Sequence, residues 1–406
     1  MFFLFLLIII FILSLIVLVY LLNEEIKGIS LRDKGPFFHL PACDLGQGIK
    51  IGEHNLKIFN NGGEAIHDML SEIAKAKKYI FLESYIFRHD KIGKTFKRAL
   101  AQKAKEGVAV YVIFDSLGNL WMPSYIWQRL KRSGAHVFEY GPIKTFRDYL
   151  RSKTWTRDHR KTLIIDGRIA YLGGLNIGRE YEKRWRDTHL KIIGPAAGQV
   201  EKIFVDFWNA HKKKKIDFSP AIKEQEDIKI YFNEVVSRSY PIRPVYLDLI
   251  RQSKINLYLS FSYFVPDEEI MVEIEKAVLR GVGVEIIFPE RSDVWIAHLA
   301  LSSFVERLLR AGVKVYFYRR TMLHAKTMTA DHDISIVGSA NLDNRSLSKN
   351  YEIIALVKNK EFAQVMEKMF ACDKNNCREV RIEEWVKRGK GRIFWENLSL
   401  LIRNFL

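Results

Sequence analysis

Two copies of one short motif carry the residues in this sequence that could do chemistry. The motif reads His-x-Lys-x4-Asp, and its residues are His159, Lys161, Asp166, His324, Lys326 and Asp331. The offset that carries His159 onto His324 superimposes the whole of both copies, together with Gly173 and Asn176 in the first and Gly338 and Asn341 in the second. Two copies of one half-site imply one composite site.

The apolar alternation that follows His159 predicts a β-strand, whose period of two places His159 and Lys161 on the same face. An imidazole, with an unperturbed pKa of about 6.5, can act as nucleophile, acid or base near neutral pH, and a lysine holds an anion as a point charge. Two histidines and two lysines in one cavity therefore indicate a phosphodiester substrate.

The duplicated motif, followed by Gly-Gly-Leu-Asn in one copy and Gly-Ser-Ala-Asn in the other, resembles the phospholipase D superfamily. The resemblance implies that one histidine attacks phosphorus, the other protonates the leaving alcohol, and an acceptor hydroxyl then attacks the phosphohistidine. These roles fall to His159 as nucleophile and His324 as acid and base, although the symmetry of the motif alone permits the reverse. Such chemistry needs no metal and no cofactor.

The remaining motif residues are expected to bind or orient the substrate. The predicted phosphate-binding residues are Lys161, Lys326, Asn176 and Asn341, which would hold the non-bridging oxygens. Asp166 and Asp331 complete the catalytic set. Their place at a strand end favours an orienting role over direct contact with substrate.

The same offset between the two copies pairs Asp187 with Glu352. A histidine needs a partner on its second ring nitrogen, and a carboxylate serves best. In the superfamily, an acid at this place serves a histidine across the domain interface, which implies that Glu352 orients His159 and Asp187 orients His324. The alternative is that both are surface acids on strands.

Around the motifs, the sequence is similar to bacterial cardiolipin synthases from about residue 56 to its end. The stretches that carry this similarity are residues 173–181, 185–190, 338–346 and 350–352. The similarity implies transfer of a phosphatidyl group from one phosphatidylglycerol to a hydroxyl of another, with release of glycerol. The alternatives are a membrane-anchored phospholipase D or a phosphodiesterase or nuclease. The intact motifs disfavour a catalytically silent binder of anionic lipid.

Residues 1–22 contain no charged side chain, and as a helix they would be about 33 Å long, enough for a hydrocarbon core of about 30 Å. They indicate a transmembrane anchor rather than a signal peptide, because no basic segment precedes them and no cleavage site follows. Lys27, Arg32 and Lys34 follow the span. This charge bias predicts a single-pass protein of the cell (inner) membrane with its catalytic domains on the cytoplasmic side.

Strand and helix patterns alternate in both halves, which predicts an α/β fold. We expect two similar α-β-α sandwich domains with the active site at their interface, preceded by a transmembrane helix. The predicted segments are an anchor at 1–22, a connector at 23–55, and phospholipase D-like domains at 56–218 and 219–406. The first half carries about 13 extra residues before His159, rich in aromatic and basic side chains that either contact lipid or form a packed loop.

The charge balance, 64 Lys and Arg against 47 Asp and Glu, gives a net charge of +17 and favours an anionic partner. We expect phosphatidylglycerol and a membrane as partners and no nucleic acid, and the oligomeric state stays open. The cysteines Cys43, Cys372 and Cys377 indicate neither a disulfide framework nor a zinc site, so free thiols are expected. The tail from residue 382 favours a helix packed on the second domain over one in contact with lipid.

Overall fold

A computed structural model of the protein describes residues 43–120, 122–143, 156–217 and 226–405. The predicted anchor at 1–22 lies outside these ranges, as do most of the predicted connector and most of the insertion before His159. None of the helices in these ranges has the length and apolar character that a membrane crossing requires.

The first half of the described chain forms a mixed sheet of eight strands. The strands are β1 (Ile49–Ile51), β2 (His54–Phe59), β3 (Tyr79–Ser84), β4 (Ala109–Asp115), β5 (His136–Tyr140), β6 (Lys161–Ile165), β7 (Ile169–Gly173) and β8 (His189–Ile193). Their order across the sheet is β1-β2-β8-β7-β6-β3-β4-β5, and only β3–β4 and β4–β5 among these pairs are parallel. Strand β1 lies in the stretch predicted as a connector and forms the edge of this sheet.

The second half, within the described residues, repeats this arrangement and adds a two-stranded sheet. Its strands are β9 (Ile228–Phe232), β10 (Asn256–Phe261), β11 (Phe264–Val265), β12 (Gly283–Pro289), β13 (Lys314–Tyr318), β14 (Lys326–Ala330), β15 (Ile334–Gly338), β16 (Leu342–Asp343), β17 (Ile353–Lys358) and β18 (Cys377–Glu379). The large sheet has the order β18-β13-β12-β10-β14-β15-β17-β9. Equivalent strands lie in the same order in both sheets, apart from one additional edge strand in each, β1 and β18. The prediction of two repeated α/β domains is therefore confirmed.

Helices pack against both sheets. They are α1 (Gly62–Lys75), α2 (Lys91–Lys105), α3 (Gln128–Arg132), α4 (Arg179–Lys183), α5 (Ala197–His211), α6 (Ile242–Gln252), α7 (Glu268–Leu279), α8 (Trp295–Ala311), α9 (Asn344–Ser348), α10 (Lys360–Lys374), α11 (Ile382–Trp385) and α12 (Lys390–Ser399). Polar side chains cap the N-terminal ends of several of these helices. The side chain of Asn61 accepts from the backbone N–H groups at the start of α1, and Asp90 does the same for α2, which satisfies donors that no helical carbonyl can reach.

One apolar core is shared by the two halves. It contains residues of both inner helices, such as Phe204 of α5 and Met366 of α10, and of both sheets, such as Leu172 and Val337. Burying one such side chain contributes roughly 1.5–3 kcal/mol. Because the core is continuous, the two sheets are held in one relative position, which a site composed of both halves requires.

A buried ion pair also crosses between the halves. Nε and Nη2 of Arg186 donate to the two carboxylate oxygens of Asp373, each over 2.7 Å. This two-point contact fixes the orientation of the guanidinium as well as its position. It ties the segment before β8 to helix α10.

The prediction of free thiols is wrong for two cysteines, because Cys43 and Cys372 form a disulfide across 329 residues of sequence. Their Cα atoms lie 6.2 Å apart, since the fold brings the segment before β1 against helix α10. Cys377 is the free cysteine of the described residues and is half-buried, so it does not pair with Cys372.

The tail packs against the second domain, the role that its sequence favoured. The ring of Trp395 in α12 lies 6.4 Å from that of Trp295 in α8, and the buried Glu396 pairs with Arg388. Some apolar side chains of the tail stay open to solvent, since Phe394 is 61% exposed and Leu401 is 76% exposed.

Candidate active site

A cavity of about 400 Å³ lies between the two halves and contains both motif histidines. His159 precedes β6 and His324 precedes β14, at equivalent ends of the two central strands. Asn176 and Asn341 line the same cavity. Four of the predicted site residues, two from each half, therefore face one space.

Each histidine is held by a carboxylate from the other half of the chain. Nδ1 of His159 lies 2.9 Å from Oε1 of Glu352, and Nδ1 of His324 lies 2.7 Å from Oδ2 of Asp187. Both carboxylates are buried. The structure brings together the same pairs that the sequence analysis joined, and in each ring it leaves Nε2 as the nitrogen available to a substrate.

Backbone hydrogen bonds across the interface set these pairs in register. The N–H of His159 donates to the carbonyl of Tyr351 over 3.0 Å, and Glu352 is the next residue. The N–H of His324 donates to the carbonyl of Arg186 over 2.7 Å, and Asp187 is the next residue. The repeat thus builds the same short cross-domain ladder twice, and each ladder delivers one acid to one imidazole.

The two acids, Asp187 and Glu352, differ in their other hydrogen-bond partners. Asp187 accepts the N–H of Thr188 over 2.7 Å on the oxygen that does not face His324. Glu352 instead accepts the hydroxyl of Ser339 on its second oxygen. The position equivalent to Ser339 in the first half is Gly174, so the repeat is symmetric in its acids but not in what surrounds them.

The motif lysines, which the sequence analysis expected in the same cavity, are buried next to the histidines and are not among the residues that line it. Nζ of Lys326 donates to Oγ of Ser262 over 2.8 Å and to the carbonyl of His324 over 2.5 Å. Nζ of Lys161 donates to the carbonyl of His159 and lies 5.3 Å from the ring centre of Tyr85. Burial lowers the pKa of Lys161 to about 7 and that of Lys326 to about 8, because a charged ammonium loses its hydration there.

The asparagines use their carbonyl oxygens to hold the walls of the cavity. Oδ1 of Asn176 accepts the N–H of Ile86 over 3.0 Å, and Oδ1 of Asn341 accepts the hydroxyl of Ser262 over 2.9 Å. Ser262 therefore links Asn341 to Lys326 on one side of the site.

The structure places Asp166 and Asp331 away from the cavity, so their assignment to the catalytic set is corrected. Each follows the far end of its strand, roughly 15 Å from the motif lysine at a rise of about 3.3 Å per residue. Asp166 accepts the N–H groups of Lys77, Lys78 and Tyr79, and Asp331 accepts the equivalent groups before β10. Both have positive φ angles, 51° and 55°. They close the turns that lead into β3 and β10.

The electrostatics of the two histidine pairs are unequal. Burial, then Lys161 and Lys326, lower the pKa of His159 well below its usual value. Burial and Lys326 also lower the pKa of His324, but there the Asp187 carboxylate opposes the shift. Burial alone would raise the pKa of Asp187, but its contacts with His324 and Lys326 bring it below the usual value.

The pKa of Glu352 shifts in the opposite direction to that of Asp187. Burial raises its pKa to about 8, although Lys161 and Ser339 act against the shift. Burial thus disfavours the charged forms of both His159 and Glu352, whereas the lowered pKa of Asp187 keeps an ionised carboxylate beside His324.

Sequence reasoning missed several residues that shape the site. Tyr85 packs edge-on against His159 with ring centres 4.9 Å apart, and Trp185 lies 5.3 Å from His324. Arg157 is buried at the cavity wall, and its Nε and Nη2 have no hydrogen-bond partner among the described residues. The offset between the two motif copies could have identified Gly174 and Ser339 as an unequal pair beside the acids. The described residues contain no group of three or more His, Cys, Asp or Glu side chains arranged to hold a metal ion.

Comparisons with known proteins show the family of this chain. The family model for the phospholipase D-like domain of cardiolipin synthase matches residues 69–208 and 246–374. Cardiolipin synthase of Clostridium perfringens (strain SM101 / Type A) is 36% identical over 360 residues, which cover 82% of this chain and 73% of that protein. Cardiolipin synthase of Listeria welshimeri is 32% identical over 367 residues, which cover 87% of this chain and 76% of that protein.

Solved structures support the fold. The crystal structure of phosphatidylserine synthase from Haemophilus influenzae Rd KW20 aligns with a TM-score of 0.68 at 16% identity and covers 94% of this chain and 100% of that one. Polyphosphate kinase from Porphyromonas gingivalis aligns with a TM-score of 0.54 at 14% identity, over 81% of this chain and 49% of that one. With the domain model matched in both halves and with relatives that are 36% and 32% identical over most of its length, the chain belongs to the cardiolipin synthase family of phospholipase D-like phosphatidyltransferases.

Proposed function

We propose that this protein joins two phosphatidylglycerol molecules into cardiolipin and releases glycerol. One observation carries the proposal: His159 and His324 face one cavity, and each is held at Nδ1 by a carboxylate from the opposite half. Two oriented imidazoles with their Nε2 atoms available supply a nucleophile and a proton donor for a phosphodiester.

In the first step, Nε2 of His159 attacks the phosphorus of the donor phosphatidylglycerol. The bond from phosphorus to the glycerol headgroup breaks, and His324 gives its proton to the departing glycerol oxygen. The products of this step are glycerol, a phosphatidyl group bound to His159, and a neutral His324. Covalent catalysis of this kind divides one difficult displacement into two easier ones.

In the second step, a hydroxyl of the acceptor phosphatidylglycerol attacks the same phosphorus. His324 takes the hydroxyl proton, and the bond between phosphorus and His159 breaks. Both histidines return to their starting states, and cardiolipin leaves. Water in place of the acceptor would give phosphatidic acid, so exclusion of water separates a transferase from a hydrolase.

The unequal electrostatics support His159 as the nucleophile. A nucleophilic imidazole must be neutral, and the pKa of His159 lies well below its usual value because of burial and the neighbouring lysines. A general acid must carry a proton, and although burial and Lys326 lower the pKa of His324 too, the ionised Asp187 opposes that shift and favours the protonated form. This difference supports the assignment of His159 as nucleophile over the reverse, which the motif alone permits.

The buried lysines are assigned to the non-bridging phosphate oxygens, together with Asn176 and Asn341. No ion pair within 4 Å joins Lys161 or Lys326 to a carboxylate in the described residues, so an entering phosphate would supply the missing negative charge. Preorganised donors of this type lower a barrier by about 3–4 kcal/mol each. Arg157, at the cavity wall, is positioned to contact a second anionic group.

The reaction is tested by incubating the purified full chain with phosphatidylglycerol vesicles and identifying the products. Cardiolipin and glycerol, formed without added metal or nucleotide, are expected. Phosphatidic acid as the sole lipid product would identify a hydrolase. A strict requirement for a divalent cation would contradict the mechanism.

We also infer that residues 1–22 anchor the protein in the cell membrane, with the catalytic domains on the cytoplasmic side. The inference rests on the uncharged segment and on the basic residues Lys27, Arg32 and Lys34 that follow it. Two fusions after Leu406 test it, one to alkaline phosphatase and one to a fluorescent protein that matures only in the cytoplasm. Phosphatase activity with a dark fluorescent fusion would overturn this orientation.

A further inference from the structure

A second cavity, of about 540 Å³, lies beside helix α2 and contains neither motif histidine. Its basic lining residues are His89, Lys91, Lys94, Lys97, Arg98 and Arg129. Within the described ranges, none of these lysines and arginines forms an ion pair with a carboxylate. The nearby Asp90 is already engaged, since its oxygens accept the N–H groups of Gly93 and Arg179.

Lys97 makes this cavity more than a solvated basic surface. The residue is only 9% exposed, and its Nζ lies 3.2 Å from Nδ1 of His89. The same Nζ lies over the rings of Phe87 and Trp127, 5.4 Å and 4.9 Å from their centres. A buried ammonium without a carboxylate is costly, and burial lowers the pKa of Lys97 to about 8. A bound anion would offset that cost.

The basic cavity adjoins the catalytic one. Arg88 lines the catalytic cavity and His89, the next residue, lines the basic cavity. Asn119 holds the backbone between them, because its side chain donates to the carbonyl of Tyr85 and accepts the N–H of Phe87. The two cavities therefore have fixed relative positions.

Aromatic residues follow or precede residues that line the two cavities. Tyr125, next to a residue that lines the basic cavity, is 70% exposed. Val294 forms part of the wall of the catalytic cavity, and the adjacent Trp295 contacts the tail helix that exposes Phe394. Exposed aromatic side chains beside basic ones are typical of surfaces at the level of lipid headgroups.

We propose that the basic cavity beside α2 binds the phosphate of an anionic phospholipid headgroup and thereby holds the mouth of the catalytic cavity against the bilayer. The site is separate from the histidines, so the proposal goes beyond the transferase reaction. The choice of a lipid over free phosphate rests on the proposed function, because a lipid substrate must enter the catalytic cavity from a bilayer.

The test measures flotation of the full chain with phosphatidylcholine vesicles that contain or lack phosphatidylglycerol, and a non-ionic amphipol covers residues 1–22 so that the inferred anchor cannot insert. His159→Ala protein is used throughout, so that turnover does not change the lipid. The triple variant Lys91→Gln, Lys94→Gln, Arg129→Gln should bind the anionic vesicles about a hundredfold more weakly, since each basic residue near such a surface contributes roughly fivefold. Lys97→Met should weaken binding as well, with folding of each variant verified by circular dichroism.

The matched control removes the same charge elsewhere, through Lys50→Gln, Lys229→Gln and Lys360→Gln, three exposed lysines outside this cavity. It should retain nearly full binding. Equal losses of vesicle binding in both triple variants would mean that only net charge matters, and would overturn the proposal. Unchanged flotation of the cavity variant would overturn it as well. Line broadening of inorganic phosphate in ³¹P NMR that disappears in the cavity variant, with flotation unchanged, would assign the site to the free ion instead. Loss of duplex DNA binding with unchanged flotation would assign it to nucleic acid.

Discussion

A Cβ atom on Gly174 would lie 2.1 Å from Oδ1 of Asp187, so this glycine leaves the space that the carboxylate occupies beside His324. In the second half, Ser339 takes the equivalent place and donates its hydroxyl to Glu352 instead. The longer acid accommodates a side chain there, and the shorter acid does not. The two halves thus orient their histidines by different local means.

Gly174→Ala should therefore displace Asp187 and slow the reaction. A shift of about 1 Å in a positioned group can cost about 10²-fold, and we expect a loss of that order in kcat with phosphatidylglycerol. Gly391→Ala is the control, because a Cβ there meets nothing within 4 Å. Wild-type kcat in a correctly folded Gly174→Ala protein would contradict the role given to this glycine.

The roles of the two histidines can be separated with a substrate whose leaving group needs no proton. On bis(p-nitrophenyl) phosphate, the burst of one p-nitrophenolate per active site should recover, in His324→Ala and Asp187→Asn, most of the 10²- to 10⁴-fold that general-acid catalysis provides, whereas later turnover still needs His324 as the base. His159→Ala should lose activity on this substrate and on phosphatidylglycerol alike. The opposite pattern would exchange the roles of the two histidines.

The double variant His159→Ala, His324→Ala tests whether the two halves form one site. On phosphatidylglycerol, each single variant is expected to lose roughly 10⁴-fold or more, and the double variant should be little worse, since residues that act as a unit are not additive. Multiplicative losses would show two independent sites.

The pKa values of Lys161 and Lys326 predict how kcat/KM depends on pH on the alkaline side. With pKa values of about 7 for Lys161 and about 8 for Lys326, both lowered by burial, these side chains lose their positive charge as the pH rises through that range. Because the charged form holds the phosphate, kcat/KM should fall there. In kcat the decline should lie at higher pH, because bound phosphate favours the ammonium form. A kcat/KM that stays constant well above both pKa values would contradict this assignment.

Asp166 should affect stability and not chemistry. Asp166→Ala removes the acceptor of three backbone N–H groups and should lower the free energy of unfolding by about 1–3 kcal/mol. Asp166→Asn is the milder comparison, since asparagine retains one acceptor and tolerates the positive φ angle. Thermal unfolding and kcat are measured together. Loss of kcat at unchanged stability would return Asp166 to the catalytic set.

The disulfide allows an independent test of membrane orientation. In purified, air-oxidised protein, alkylation in denaturant without reduction should label Cys377 and leave Cys43 and Cys372 unlabelled. In intact cells, all three should react if the domains lie in the cytoplasm, because thiols stay reduced there. A disulfide already present in cells trapped before lysis would contradict the cytoplasmic orientation.

Much of the fold and of the site could be predicted from the sequence alone, because its main signals are periodic. Strand alternation and the constant offset between the motif copies predicted the repeated α/β fold and the position of His159 and His324 in one composite site. The offset also aligned Asp187 with Glu352, but their crossed pairing with the histidines came from the resemblance to the phospholipase D superfamily. A repeat preserves relative position, so equivalent residues in the two halves must be related by the symmetry of the fold.

Only the tertiary structure decided what depends on packing between distant segments. It placed Asp166 at a turn far from the cavity, although the motif groups it with the histidine, because a strand carries its two ends apart. It joined Cys43 to Cys372 across 329 residues, a distance that no local pattern encodes. The unequal pKa shifts of the two histidine pairs likewise come from burial and from neighbours across the interface, and these exist only once the halves have packed.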